Sequence, residues 1–254
     1  MKYVRLLLFT FILLGTEMAE AQFWMKEFRA QGRCEDYAGK QVVDSLGNIY
    51  LTGSSQTDKG LSKILVIKTN LLGDTLWSNY YLKPSSTDQG PIDMQLGTDG
   101  NLYITGYSFS RLDQSFSIVT LKLDTGGSYI WGVTYRSPNS LPTNDFYPNQ
   151  ILVDDLYNVY VSGSNHFNEG FIIKYDSSGQ LLWEMDDLGH VGDTDVDDMK
   201  LSNMGHLTVC GNFYSNSNFK FIYYVNQYSP DTSLLWSDTI HGSTHASARK
   251  MKFL

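Results

Sequence analysis

The amino-acid sequence predicts an all-β fold, a β-propeller of four-stranded antiparallel blades, and three observations carry that expectation. Tryptophan recurs at Trp24, Trp77, Trp131, Trp183 and Trp236, at spacings of 53, 54, 52 and 53 residues. A period of that size without a helical pattern marks a repeat array. Within each period, short alternating apolar runs are separated by Gly, Asn and Asp, the signature of strands joined by tight turns. The composition agrees: 17 Tyr, 13 Phe and 5 Trp stand against 18% charged residues in 254, and aromatic side chains suit pleated, half-buried surfaces.

The chain opens with Lys2 and Arg5, the apolar run Leu6 to Leu14, and Ala19-Glu20-Ala21, the order of charge, apolar core and small residues found in a secretory signal peptide. Residues 1–21 are therefore read as a leader and residues 22–254 as the repeat domain. The apolar run is about half the ~20 residues that span a bilayer, so no transmembrane anchor is expected. Lys2 and Arg5 cancel Glu17 and Glu20, so the remainder keeps the whole net charge of −8. An acidic exported chain makes a poor partner for nucleic acid.

After the leader, Gln22 to Phe28 with Trp24 reads as a lone outer strand. The second repeat then shows the blade plan. Ile92 to Leu96 and Leu102 to Tyr107 flank a turn at Thr98 to Asn101, and Phe116 to Leu123 and Tyr129 to Tyr135 flank a turn at Asp124 to Gly127. The third strand is apolar on both faces, as in Ile64 to Ile67 and Phe171 to Ile173, which calls for sheets stacked on both sides. Four whole blades follow at about 40–81, 92–135, 150–185 and 198–239, and 250–254 aligns with 39–43 as a lone inner strand. Two strands are missing between these ends, so a partial propeller is expected, with the polypeptide continuing by ~35 residues for a five-blade ring or by more for six to eight blades.

The tryptophans fall on the outermost strands, where their rings dock one blade on the next; truncating a buried one would cost ~3–5 kcal/mol. The Gly ending each second strand, at Gly53, Gly106, Gly163 and Gly211, marks a bulge or a close backbone approach.

The blocks VVDSLGNIYLTG and QLGTDGNLYITG, with the K-x-[ND] and G-x-x-x-W stretches that follow, resemble the bacterial SBBP propeller repeats of secreted and surface proteins. The likeness extends over nearly all of residues 22–254. It departs at Tyr157, which replaces the turn Gly, and at His206, Thr208 and Cys210 in the fourth unit. YDSSGQLLWE also looks like the repeat of pyrroloquinoline quinone dehydrogenases, but the chain has no adjacent Cys pair.

Antiparallel order puts the first–second and third–fourth turns at one end, and the variable second–third loops and blade connections at the other. Binding is expected on the variable face, with Asp88, Asp145, His190, Asp193, Asp195, Asp197 and His241 as candidates in loops. Asp193, Asp195 and Asp197 alternate as calcium ligands do, although the Gly and Glu of a calcium loop are replaced by Asp198 and Met204. No other metal or cofactor is expected, and no catalytic residue stands out. Asp93 and Asp198 occupy equivalent inner-strand positions and form a possible carboxylate pair for glycoside chemistry. Cys34 and Cys210 are read as free thiols. The resulting expectation is a non-enzymatic, secreted or cell-surface module binding a protein or glycan, with a quinoprotein-like or glycan-active enzyme as the alternative.

Overall fold

A computed structural model describes residues 36–56, 60–81, 87–136, 145–165, 167, 169–186, 188, 194–215 and 220–240. The leader, both lone strands, Trp24, Cys34, His190, Asp193 and His241 lie outside the described residues.

The strands follow one plan four times. Blade 1 holds β1 (Asp36–Val43), β2 (Ile49–Gln56), β3 (Ser62–Thr69) and β4 (Thr75–Tyr81), paired in sequence order. Blade 2 holds β5 (Thr87–Leu96), β6 (Leu102–Ser110), β7 (Ser115–Leu123) and β8 (Tyr129–Tyr135). Blade 3 runs through β9 (Phe146–Val153), β10 (Val159–Asn165), β11 (Gly170–Tyr175) and β12 (Leu181–Met185). Blade 4 runs through β13 (Thr194–Leu201), β14 (Leu207–Ser215), β15 (Lys220–Tyr228) and β16 (Leu234–Ile240). All pairings are antiparallel, and the first strands of successive blades adjoin one another. This is the propeller architecture.

Each first–second and third–fourth turn is built from its own sequence. Asp44 Oδ1 accepts the Leu46 and Asn48 N–H groups, both at 2.9 Å, and Asp154 does the same for Leu156 and Asn158. Asn70 and Asp176 repeat the device at third–fourth turns. A short side-chain acceptor replaces the missing backbone partner, which is why Asn and Asp recur there.

Three apolar clusters fill the seams between successive blades. Tyr50, Val66, Met94 and Ile104 lie in the first, Tyr103, Ile118, Ile151 and Val161 in the second, and Tyr160, Ile172, Met199 and Val209 in the third. β11 is buried along its whole length, as a third strand apolar on both faces should be. Lys68, Lys122 and Lys174 each lie 4.8 Å above the ring of the second-strand Tyr50, Tyr103 or Tyr160. Lys122 also reaches Asp99 at 3.0 Å. In blade 4 the pair becomes Gln227 and Thr208, joined by a 3.0 Å hydrogen bond.

The tryptophan rings sit at these seams. Trp77 Nε1 donates to the Thr125 carbonyl of blade 2 at 3.1 Å, and Trp131 Nε1 to the Ser177 carbonyl of blade 3 at 3.0 Å. Trp183 packs against the third cluster. These three rings are half-buried, whereas Trp236 is 45% exposed and donates to Gln227 of its own blade.

The inner strands begin four or five residues earlier than expected, at 36, 87, 146 and 194. Each carries a bulge after which pairing resumes out of step, between Ala38 and Gln41, Pro91 and Asp93, Pro148 and Gln150, and Val196 and Asp198. The bulge resets side-chain alternation and hides the first half of the strand from a period-two reading. Opposite it stands the second-strand glycine. A Cβ on Gly53, Gly106, Gly163 or Gly211 would collide with the carbonyl of Tyr37, Gly90, Tyr147 or Asp195 respectively. Both expectations for these glycines are met. The correction bears on the candidate residues: Asp88, Asp195 and Asp197 belong to strands, not connecting loops.

Candidate functional site

The bulges open the molecule where blades meet. A cleft of about 310 Å³ lies between blades 3 and 4, lined by Tyr147, Asn149, Ser164, Asp195 and Asp197. A second, of about 270 Å³, lies at the corresponding place between blades 1 and 2, lined by Tyr37, Gly39, Ser54, Pro91 and Tyr107. Each cleft is formed by one blade's bulge and the bulge of the next.

Between them runs an aromatic ridge. Phe116, at the start of β7, has its ring 5.7 Å from Tyr107, 4.7 Å from Phe109 and 5.0 Å from Tyr147. Tyr107 therefore ends the ridge in one cleft and Tyr147 ends it in the other. The Tyr147 ring is 39% exposed. Its hydroxyl is pushed up to about 12, first by burial and then by the hydrogen bond it donates to Asp145 at 3.0 Å, so it stays a donor at neutral pH. These aromatics are on the variable face but escaped the sequence reading. The available signal was Tyr107, Phe109 and Phe116 flanking one second–third loop.

The acidic candidates divide into latches and cleft residues. Asp88 Oδ1 accepts the Ser62 N–H at 2.9 Å, and its carboxylate is gripped by Arg111 Nε at 2.6 Å and a terminal Arg111 nitrogen at 3.0 Å. Burial pushes this carboxyl up, but the Arg111 and Ser62 hydrogen bonds outweigh it and hold it below the usual range. Asp145 Oδ1 accepts the Phe116 N–H at 2.8 Å. Asp88 and Asp145 thus bridge the start of one blade's inner strand to the third strand of the blade before. Asp193 holds the equivalent position in the sequence.

Asp195 and Asp197 do face a cleft. Asn212 Nδ2 donates to Asp197 Oδ2 at 2.7 Å and fixes that side chain, while Tyr224 donates to the Asp195 carbonyl at 2.9 Å. Among the described residues no group of three or more His, Cys, Asp or Glu is arranged to hold a metal.

Asp93 and Asp198 line the inner strands beside lysines. Asp93 Oδ2 accepts the Ile151 N–H of blade 3 at 3.0 Å, and its Oδ1 lies 3.8 Å from Lys40 of blade 1. Burial pushes the Asp93 carboxyl above its ordinary range despite the Ile151 N–H and Lys40. Asp198 lies 3.4 Å from Lys200. Gln150, at the position equivalent to Asp93, grips Met199 of blade 4, accepting its N–H at 2.6 Å and donating to its carbonyl at 3.3 Å. The Cys210 thiol is buried and is pushed up to about 11, mainly by burial and then by Asp198.

No family model matches the sequence, and no curated protein matches it. Solved structures do. An ulvan lyase of polysaccharide lyase family PL25, bound to -[GlcA(1-4)Rha3S]-, aligns with TM-score 0.59 at 7% identity over 80% of this chain and 55% of its own. An α-L-arabinanase from Penicillium chrysogenum complexed with arabinobiose aligns with TM-score 0.54 at 12% identity, over 80% of this chain and 65% of its own. A protein of unknown function from Dyadobacter fermentans DSM 18053 gives 0.53 at 10%, with the same two coverages as the arabinanase.

At such identities the likeness is one of fold. This chain spans between half and two thirds of the length of those structures. The likenesses nonetheless overturn the expectation of a non-enzymatic module. The same stack of blades forms the body of a lyase and an arabinanase, so the architecture gives no ground for reading the chain as inert.

Proposed function

We propose that this chain is an exported, glycan-active propeller enzyme whose saccharide lies across the variable face, over the ridge of Tyr107, Phe116 and Tyr147 and into the cleft at either end. The ridge joining the two clefts is the observation that carries the reading. Aromatic faces take the C–H faces of sugar rings, while Ser54, Asn149, Ser164 and the cleft carboxylates offer hydrogen bonds to hydroxyls. The solved propellers of a lyase and an arabinanase support a glycan over a protein ligand. The leader and the SBBP-like repeats support an extracellular place and a kinship with that repeat family.

Cleaving a glycosidic bond takes one carboxyl kept protonated near working pH and a second that is ionised. Asp195 and Asp197 are the carboxylates that line a cleft, and Asn212 orients Asp197. The test is a panel of oligosaccharides assayed for binding and for release of reducing ends. Tyr147→Ala should weaken binding about ten-fold, which corresponds to ~1.4 kcal/mol. Asp197→Asn should abolish turnover. Turnover that survives Asp197→Asn removes that residue from the chemistry, and a panel with no binder rejects the reading.

A further inference from the structure

We infer that Tyr37 is a further sugar-binding residue and that the saccharide taken by this site is an oligosaccharide longer than a disaccharide, reaching from blade 1 to blade 4; the inference rests on the glycan reading above and names its substrate class. Tyr37, Gly90, Tyr147 and Asp195 hold one position in the blade plan, because each sets its carbonyl against the second-strand glycine of its own blade. Their partners across the strand pair are Ser54, Tyr107, Ser164 and Asn212. In blades 1 and 3 the tyrosine stands on the first strand and its partner is a small serine. Blade 2 reverses the two. A Cβ on Gly90 would lie 2.7 Å from Cε1, Cζ and Oη of Tyr107, so the Tyr107 ring fills the space above Gly90. Three successive blades therefore each set one tyrosine at the same place on the variable face.

Tyr37 continues the aromatic ridge. It is 63% exposed and lines the same cleft as Tyr107, which meets the ridge at Phe116. At the far end Tyr147 shares its cleft with Asp195 and Asp197. The rings thus follow the order of the blades, and blade 4 puts a carboxylate where the other three put a tyrosine. A tyrosine offers a broad, rigid contact face with few rotamers to freeze, so a row of them takes successive sugar rings by their C–H faces. Each ring that is covered removes further apolar surface from water. Affinity should grow with chain length until Tyr37 is reached, whereas a disaccharide seated at Tyr147 beside the carboxylates leaves Tyr37 uncovered.

The test measures, by calorimetry on the full chain, the binding of arabino-, galacto- and ulvan oligosaccharides, each from the disaccharide to the hexasaccharide. In the series that binds, the hexasaccharide should bind at least about ten-fold more tightly than the disaccharide. Tyr37→Ala should remove that gain and change disaccharide binding less than about two-fold, whereas Tyr147→Ala should weaken both. Tyr37→Phe, which keeps the flat ring, should keep the gain. If Tyr37→Ala does not fold, Tyr37→Leu serves, because it keeps an apolar side chain on the strand without a ring. A gain that survives Tyr37→Ala or Tyr37→Leu, a gain lost in Tyr37→Phe, or a disaccharide that binds the parent as tightly as the hexasaccharide overturns the inference and leaves the glycan reading standing. Failure of every oligomer to bind the parent overturns both.

Discussion

Thr232 occupies the left-handed region at φ +70°, where the other third–fourth turns carry Gly73, Gly127 and Gly179. A β-branched side chain there is held under strain of ~1–3 kcal/mol, partly offset by the extra freedom glycine has when unfolded. Thr232→Gly should therefore raise stability by about 1 kcal/mol in chemical denaturation. Tyr157 is the same exception in a first–second turn, at φ +63°. Its ring lies 5.8 Å from Lys122 Nζ of the neighbouring blade, a contact that glycine could not make. Titration acts at this scale too. Asp93 holds its proton more tightly in the fold than in the unfolded chain, so its contribution is complete below the ordinary carboxyl range and is lost as pH rises through its raised value. Asp93→Asn should accordingly be no more stable than the parent at about pH 3 and more stable at neutral pH, read from melting curves. Asp88 has the opposite sign. Its contribution is present above the ordinary range and is lost as pH falls through its depressed value, so the cost of Asp88→Asn should vanish in acid.

At the scale of the element, the bulged inner strand and its facing glycine act as one device. Adding a methyl group at Gly106 drives it into the Gly90 carbonyl, a backbone atom that cannot rotate away. Gly106→Ala should cost about 3 kcal/mol, at the upper end for overpacking, and proteolysis near residue 90 should report the loosened strand. The glycine was legible because it recurs at one place in every repeat, although each second strand runs on past it by two to four residues. The bulge partner was not, because Asp36 to Ala38, Thr87 to Pro91 and Thr194 to Val196 keep no common alternation. Reading those stretches as loops moved Asp88, Asp195 and Asp197 off the strands that hold them. It also hid the acidic latch that Asp88 and Asp145 repeat.

For the whole molecule, the seams carry the stability. Trp131 packs its ring against Gly179 of the next blade and donates to Ser177, while the half-exposed Trp236 bonds within its own blade. Trp131→Ala should cost ~2–3 kcal/mol, less than a fully buried ring because part of it is already in water, and Trp236→Ala under ~1 kcal/mol. Equal losses for the two would contradict the seam account. The repeat period, the turn acceptors, the doubly buried third strands and the second-strand glycines are local patterns, so the sequence alone determined blade plan and fold. The aromatic ridge, the two clefts, the Asp88 bond to Ser62 and the raised Asp93 carboxyl join residues from different blades. Only the tertiary structure could decide them, because which side chains meet across a seam depends on where the bulges turn each inner strand.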